Sequence, residues 1–325
     1  MPDFISIPLH DGFSPIAISF VLAAMGLNVH FGYAGLLNFG QAAFSAVGGY
    51  AMAVTIVSFD VPFFLAILLG LVASVLLSLV MGIPTLRLRA DYLAIVTIAV
   101  AEVVRLIFTT SFKDYFNARD GVSGFTGTFR SWNPYPTDMG RFLTFNRVDL
   151  WVMTVGWILV LLICLFLFAI MRSPWGRVLK SIREDEDAVT ALGKNVYSYK
   201  LQALILGGLI GSTGGFIGAL GLASVQPDTF NTEFTFIAFT MLILGGAARV
   251  LSPVAGAVIF WSLLSLIAVI LADLSALSWM PDGLLDNTRI GNLRFAAVGL
   301  ALMLLMIYRP QGLFGDKKEI ALDAR

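Results

Sequence analysis

The stretch "WVMTVGWILVLLICLFLFAIMRSPWGRVLKSIREDEDAVTALGKN", residues 151–195, joins two kinds of chain without a linker. Its first 21 residues carry no charge, and about 20 apolar residues in a helix span the hydrocarbon core of a bilayer. From Arg172 to Lys194 there follow five basic and four acidic residues. Apolar sequence resumes near residue 198. A charged insert between two membrane-length apolar runs points to a polytopic membrane protein. It also raises the question of what the insert is for: a solvated connection or a docking surface for a soluble partner.

Composition agrees. Of 325 residues, 58% are hydrophobic and 13% charged, against about 25% charged in soluble domains. Too little polar surface remains to cover a core in water, whereas lipid accepts apolar surface. Net charge is zero, which gives no basis for nucleic-acid binding. Cys164 is the only cysteine, so no disulfide or thiolate metal site follows. The start, "MPDFISIPLHDGFSP", has no basic residue before its first apolar run, unlike a cleaved signal; the first span is expected to stay in the mature protein.

Apolar runs place spans near 14–31, 34–57, 62–84, 92–110, 148–171, 198–223, 234–248, 253–272 and 293–308. The expected fold is therefore all-α, a single membrane domain over 1–325 with about eight or nine transmembrane helices, some short or broken. Basic residues set the orientation. Arg87, Arg89, the 172–200 region, Arg249, Arg309, Lys317 and Lys318 fall on one side if nine spans alternate. The short opposing loops near Phe59 and over 226–233 contain no Lys or Arg. This predicts a cytoplasmic 172–197 region, an extracytoplasmic 111–147 loop, the N-terminus outside and the C-terminus inside.

Two segments are unlike simple spans. "GLLNFGQAAFSAVGGY", residues 35–50, mixes Asn38 and Gln41 with four glycines, and "FTFIAFTMLILGGAA" has about 15 residues, about 22 Å as a helix. Such interrupted segments line the path in many transporters, although glycines also serve close packing. In the sixth span Gly207, Gly211 and Gly215 recur every four residues, the spacing that lets helix backbones approach in lipid. Packing is the expected role.

Charged groups inside a span are costly and draw attention. Glu102 and Arg105 share a helix face at spacing three, either as a structural ion pair or as part of a pathway to which Thr97 leads. Asn38 and Gln41 suit a polar solute or neighbouring backbone equally. His10 and His30 are too isolated for a metal or proton relay. "GK" at 193–194 lacks the rest of a phosphate loop, and no catalytic set emerges. No metal or cofactor is expected on this chain; ATP would have to be bound by another.

The insert reads as a helix. Ser173 suits an N-cap and Pro174 the first helical position. Val178, Leu179 and Ile182 share a face, with Arg177, Lys180 and Arg183 on the others, and Val189 and Leu192 resume the apolar face. Gly193 can end the helix with positive φ. The apolar side is expected to be free for a partner groove or a membrane surface.

Four blocks, "RLRADYLAIVTIAVAEVVRLIF", "SPWGRVLKSIREDEDAVTALGKN", "LGGAARVLSPVAGA" and "YRPQGLFG", together resemble permease subunits of bacterial branched-chain amino-acid ABC importers of the LivM type. The resemblance implies a subunit of the cytoplasmic membrane paired with a homologous LivH-like permease. Two ATP-binding subunits, carrying ATP and Mg, and an extracytoplasmic solute-binding protein would complete the machine. It further implies that the insert couples to the ATPases, with Glu186, Ala188 and Gly193 matching the family's acid–alanine–glycine pattern. One departure is "ARDGVSG", residues 118–124, with Ser123 where the family usually has asparagine. Urea and amide importers use related permeases, and a self-sufficient secondary transporter using Glu102 and Arg105 is the alternative of another class.

Overall fold

The computed structural model describes residues 3–86, 88, 90–111, 113–136, 145–275 and 287–315. It is all-α: α1 (Asp3–Phe13), α2 (Pro15–Leu27), α3 (Gln41–Phe59), α4 (Phe63–Thr85), α5 (Ala90–Thr110), α6 (Lys113–Phe116), α7 (Gly127–Ser131) and α8 (Arg147–Arg172). There follow α9 (Pro174–Glu184), α10 (Glu186–Ala191), α11 (Val196–Leu222), α12 (Thr232–Gly245), α13 (Ser252–Ser275) and α14 (Asn287–Tyr308). A π-helical turn, Asn28–Tyr33, extends α2. Eight helices among the described residues are long and apolar enough to cross a membrane. α12, with 14 residues, is not: it is about 21 Å long against a core of about 30 Å. α1 is an additional short helix that the span pattern does not reveal; it packs on α13.

Helix starts follow capping chemistry. Asn146 accepts the amides of Val148 and Asp149 (both 2.9 Å), Asn195 that of Ser198 (3.1 Å) and Asn231 that of Phe234 (3.1 Å). Each satisfies an orphan donor that lipid could not.

The core is built around three helices. The span from Pro15 to Tyr33 is 89% buried and α11 78%, whereas α14 is 6% buried, so the outer helices turn most of their surface to lipid or another chain. α11 can sit centrally because its glycines bring backbone against backbone. Gly207 faces His30 and the Gly26 carbonyl on the α2 side; Gly211 and Gly215 face Gln41 and the Ser45 carbonyl on α3. Ser45 donates to the Gly211 carbonyl, Ser212 to that of Phe44 (both 2.9 Å) and Ser19 to that of Gly214 (2.8 Å). Small residues and hydroxyls thus replace apolar knobs as the cohesive elements.

The bundle has two unlike ends. At one, the insert, the π turn, Leu86 and Leu88, and the segment after α12 converge with Arg172, Arg183, Arg249 and Lys200. Arg87, Arg89, Lys317 and Lys318 lie outside the described residues. At the other end, Val122–Ser123 pairs antiparallel with Ser224–Val225, tying the loop of the unusual "ARDGVSG" to the exit of α11. Aromatic rings gather there: Phe63 meets Phe129 and Trp132 at 5.7 and 5.4 Å, and Phe59 stacks on Tyr115 at 5.7 Å.

Candidate functional site: a broken helix wired to the charged insert

The second apolar run is not helical from its start. Residues 35–40 are irregular, and helix α3 begins only at Gln41. Irregular backbone at membrane depth must find partners within the protein, and it does. Thr97 on α5 accepts the Phe39 amide (3.0 Å) and donates its hydroxyl hydrogen bond to the Ala94 carbonyl (2.9 Å). Asn38 accepts the Gly40 amide (2.9 Å) through Oδ1. Thr235 on α12 accepts the Ala42 amide (2.9 Å).

His30 completes the set. Its Nε2 lies 3.1 Å from the Leu204 carbonyl, which can only accept, so Nε2 carries the proton. Nδ1 is then the acceptor for Asn38 Nδ2 at 2.9 Å. The neutral ring thus bridges α11 to the break. This histidine looked isolated in sequence because its partners lie 8 and 174 positions away.

The structure therefore brings Asn38 and Thr97 together around the break, fully buried. Gln41 stands beside them but points between α2 and α11, donating weakly to the Gly207 carbonyl at 3.4 Å; its Oε1 has no partner among the described residues. Glu102 and Arg105 belong elsewhere. Arg105 Nη2 lies 2.6 Å from Glu102, and Arg105 Nη1 reaches Asp228 at 3.1 Å, beyond the exit of α11. The pair is a triad at the end opposite the insert. Asp228, which completes it, gave no sequence signal because it is 123 residues from Arg105.

Below the break lies the insert, and here the expectations need correcting. The apolar face of α9 is not free: Leu179 is 0% and Ile182 3% exposed. Leu179 joins the main core, and Ile182 packs with Val189 and Val196. Both serve the chain's own fold, so neither can fill a partner groove. The insert is also two helices, broken at Asp185, whose φ of −156° is extended and whose side chain caps α10 by accepting the Ala188 amide (2.9 Å). Acidic residues suit the start of a helix, and the acidic cluster supplies that start. Ser173 stands at the N-cap of α9, but its hydroxyl donates backwards to the Ile170 carbonyl (2.6 Å).

Gly193 has φ +76°. Its amide binds the Thr190 carbonyl (2.9 Å) and the Lys194 amide that of Val189 (3.3 Å), the paired closure in which glycine avoids a Cβ penalty. Arg177, Glu186, Ala188 and Gly193 are exposed, and Glu186 pairs with Lys200 at the base of α11. Leu192, grouped with Val189 in sequence, points outward at 80% exposure. The insert therefore offers charges and one leucine to the outside.

Arg183 connects insert and break. Its Nη1 donates to the Gly32 carbonyl at 2.6 Å, and its stem lies against Gly35. A cavity of about 540 Å³ is lined by residues 34–36 on one side and by the insert on the other, with Arg183, Glu186, Tyr197 and Lys200 in its wall.

A second break follows α12. The Ala248 amide is accepted by Asn28 Oδ1 (2.9 Å), and Asn28 Nδ2 donates to the Arg249 carbonyl (2.8 Å). The chain past α14 returns to close it: the Leu313 amide binds the Leu244 carbonyl (2.9 Å) and that of Phe314 the Gly245 carbonyl (3.0 Å).

Comparison with known proteins places this architecture. The branched-chain amino acid transport system permease component model matches residues 12–308. The chain is 27% identical to the high-affinity branched-chain amino acid transport system permease protein LivM of Salmonella typhimurium, over 90% of this chain and 67% of that one. It is 26% identical to LivM of Escherichia coli (92% and 68%) and 23% identical to the probable LivM permease of Methanocaldococcus jannaschii (92% and 91%). With its multi-pass helical bundle, two broken segments and charged insert, the chain belongs to the family of branched-chain amino acid transport permeases.

Proposed function

We propose that this chain is one of two permease subunits of an ATP-driven importer for branched-chain or related amino acids. A homologous permease would complete the translocation path. Two ATPases, which carry ATP and Mg, would dock on the 172–197 region from the cytoplasm. A solute-binding protein would deliver substrate at the opposite face, beside the 111–147 loop. The N-terminus is then outside and the C-terminus inside.

The observation that supports coupling at the insert is its connection to the break through Arg183 and Gly32. Displacement of the insert by ATPase closure would be carried to the Gly32–Gly40 backbone as part of a rigid-body rearrangement. The exposed Arg177, Glu186, Ala188 and Leu192 form the docking surface in this reading, while Leu179 and Ile182 hold the insert rigid beneath it.

The test is co-purification with the ATPase and second permease chains. Leu192→Asp leaves the protein folded by size exclusion and lowers ATPase recovery at least tenfold. Leu179→Asp instead abolishes the folded protein, because an unpaired buried carboxylate costs several kcal/mol. Full ATPase recovery by Leu192→Asp and by Arg177→Glu would refute docking at this surface.

A further inference from the structure

A second cleft at the insert end joins cations to lipid-facing apolar surface. It has a volume of about 530 Å³ and lies between the last turn of α8, with Phe168 and Arg172, and the first turn of α13, with Ala255; Lys180 and Arg249 line it as well. The lining thus contains three cations and no carboxylate. Among the described residues, neither Arg172 nor Lys180 has a carboxylate partner. Arg172 lies 3.7 Å over the Phe168 ring and Lys180 5.6 Å from that of Tyr33, so aromatic rings hold both heads at the cleft.

Away from the cations, the wall runs into the surface of α8. Leu161, Leu165 and Phe168 are all exposed there, at helical spacings that form one stripe along the membrane span. A ligand that fits must be anionic at one end and long and apolar beyond it. A soluble acidic segment would satisfy the cations but leave the stripe to be covered by something else.

We propose that this cleft binds an anionic phospholipid, with the headgroup phosphate among Arg172, Lys180 and Arg249 and an acyl chain along Leu161, Leu165 and Phe168. Basic pockets between membrane helices recognise such headgroups by charge, and guanidinium groups suit phosphate oxygens. A zwitterionic headgroup brings a cation of its own beside Arg172 and Lys180, which have no carboxylate partner among the described residues, and is discriminated against.

The experiment is native mass spectrometry of the full-length protein released from nanodiscs of equal phosphatidylglycerol and phosphatidylcholine. Phosphatidylglycerol is retained at least fivefold over phosphatidylcholine, Lys180→Glu and the double variant Arg172→Gln/Lys180→Gln reduce the preference below twofold, and Arg130→Gln at the opposite end leaves it unchanged. Equal retention of both lipids, or an undiminished preference in the double variant, overturns the site. Displacement of phosphatidylglycerol by 50 mM inorganic phosphate would show an anion site without lipid recognition, and displacement by added ATPase would assign the surface to that protein. Either outcome refutes the proposal.

Discussion

The two breaks solve one problem by different means. Both leave backbone amides and carbonyls without helical partners inside the bundle. At residues 35–40 the amides of Gly35, Leu36 and Asn38 close locally on backbone carbonyls, and the contacts that reach other elements are made by side chains: Thr97 to Phe39, Asn38 to His30, and Thr235 to Ala42 at the start of α3. At 246–251 side chains also take part, but the closing contacts are backbone to backbone, from Leu313 and Phe314 to Leu244 and Gly245. The first break is attached to the insert by Arg183, and a cavity lies beneath it. The second is sealed by a returning segment. Side-chain partners can be exchanged one at a time, whereas a backbone ladder holds or opens as a unit. Under the proposed transport cycle, this difference makes the first break the element expected to move and the second the expected anchor.

That contrast can be attacked at three strengths. The largest effect is expected at the anchor. Leu313→Pro removes the amide that binds Leu244 and should destabilise the protein by about 3 kcal/mol, read as a fall in detergent-solubilised melting temperature, whereas Leu313→Ala, which keeps the amide, should cost less than half of that. Equal losses would show that the side chain, not the backbone pairing, closes the second break. At the first break, Asn38→Ala strips partners from His30 and from the Gly40 amide. The expected cost is about 1–3 kcal/mol, with transport by the assembled importer falling further than stability alone explains. A variant with wild-type uptake would remove the break from the transport cycle.

The smallest effect belongs to the triad at the far end. Its members are partly exposed, Asp228 at 70% of its side chain, and such pairs are worth about 0.2–1 kcal/mol. A double-mutant cycle with Glu102→Ala and Arg105→Ala should give a coupling energy in that range. A coupling of several kcal/mol, or selective loss of transport with intact stability, would restore Glu102 and Arg105 as pathway groups.

The sequence made the spans legible because lipid demands long apolar runs: seven of the nine expected spans start within two residues of an observed helix, while α3 begins seven residues late at Gln41 and α14 six residues early at Asn287. The interruptions were legible too, as glycine and polar residues where leucine would serve. What was not legible was the partner of each polar residue. Asn38 read as a possible solute contact, yet its carboxamide is occupied by His30 and Gly40. The insert misled for a related reason. Periodicity shows that Leu179 and Ile182 share a face, but not whether that face turns to this chain or to another. Asp185 shows the same limit: a carboxylate in an acidic run serves equally as a solvated charge or a helix cap, and only the fold decides.

The returning segment also has a consequence in time. Gln311 to Gly315 leave the ribosome about 65 residues after the turn at Gly246 that they cover, an interval on the order of 3–13 s at ordinary elongation rates of about 5–20 residues per second. Throughout that interval α12, too short to cross alone, must wait in the translocation machinery or against α2 and α13 with its last carbonyls still seeking donors. Closure of this turn therefore waits for the segment past α14, and no nascent chain stopped before residue 311 can have it closed.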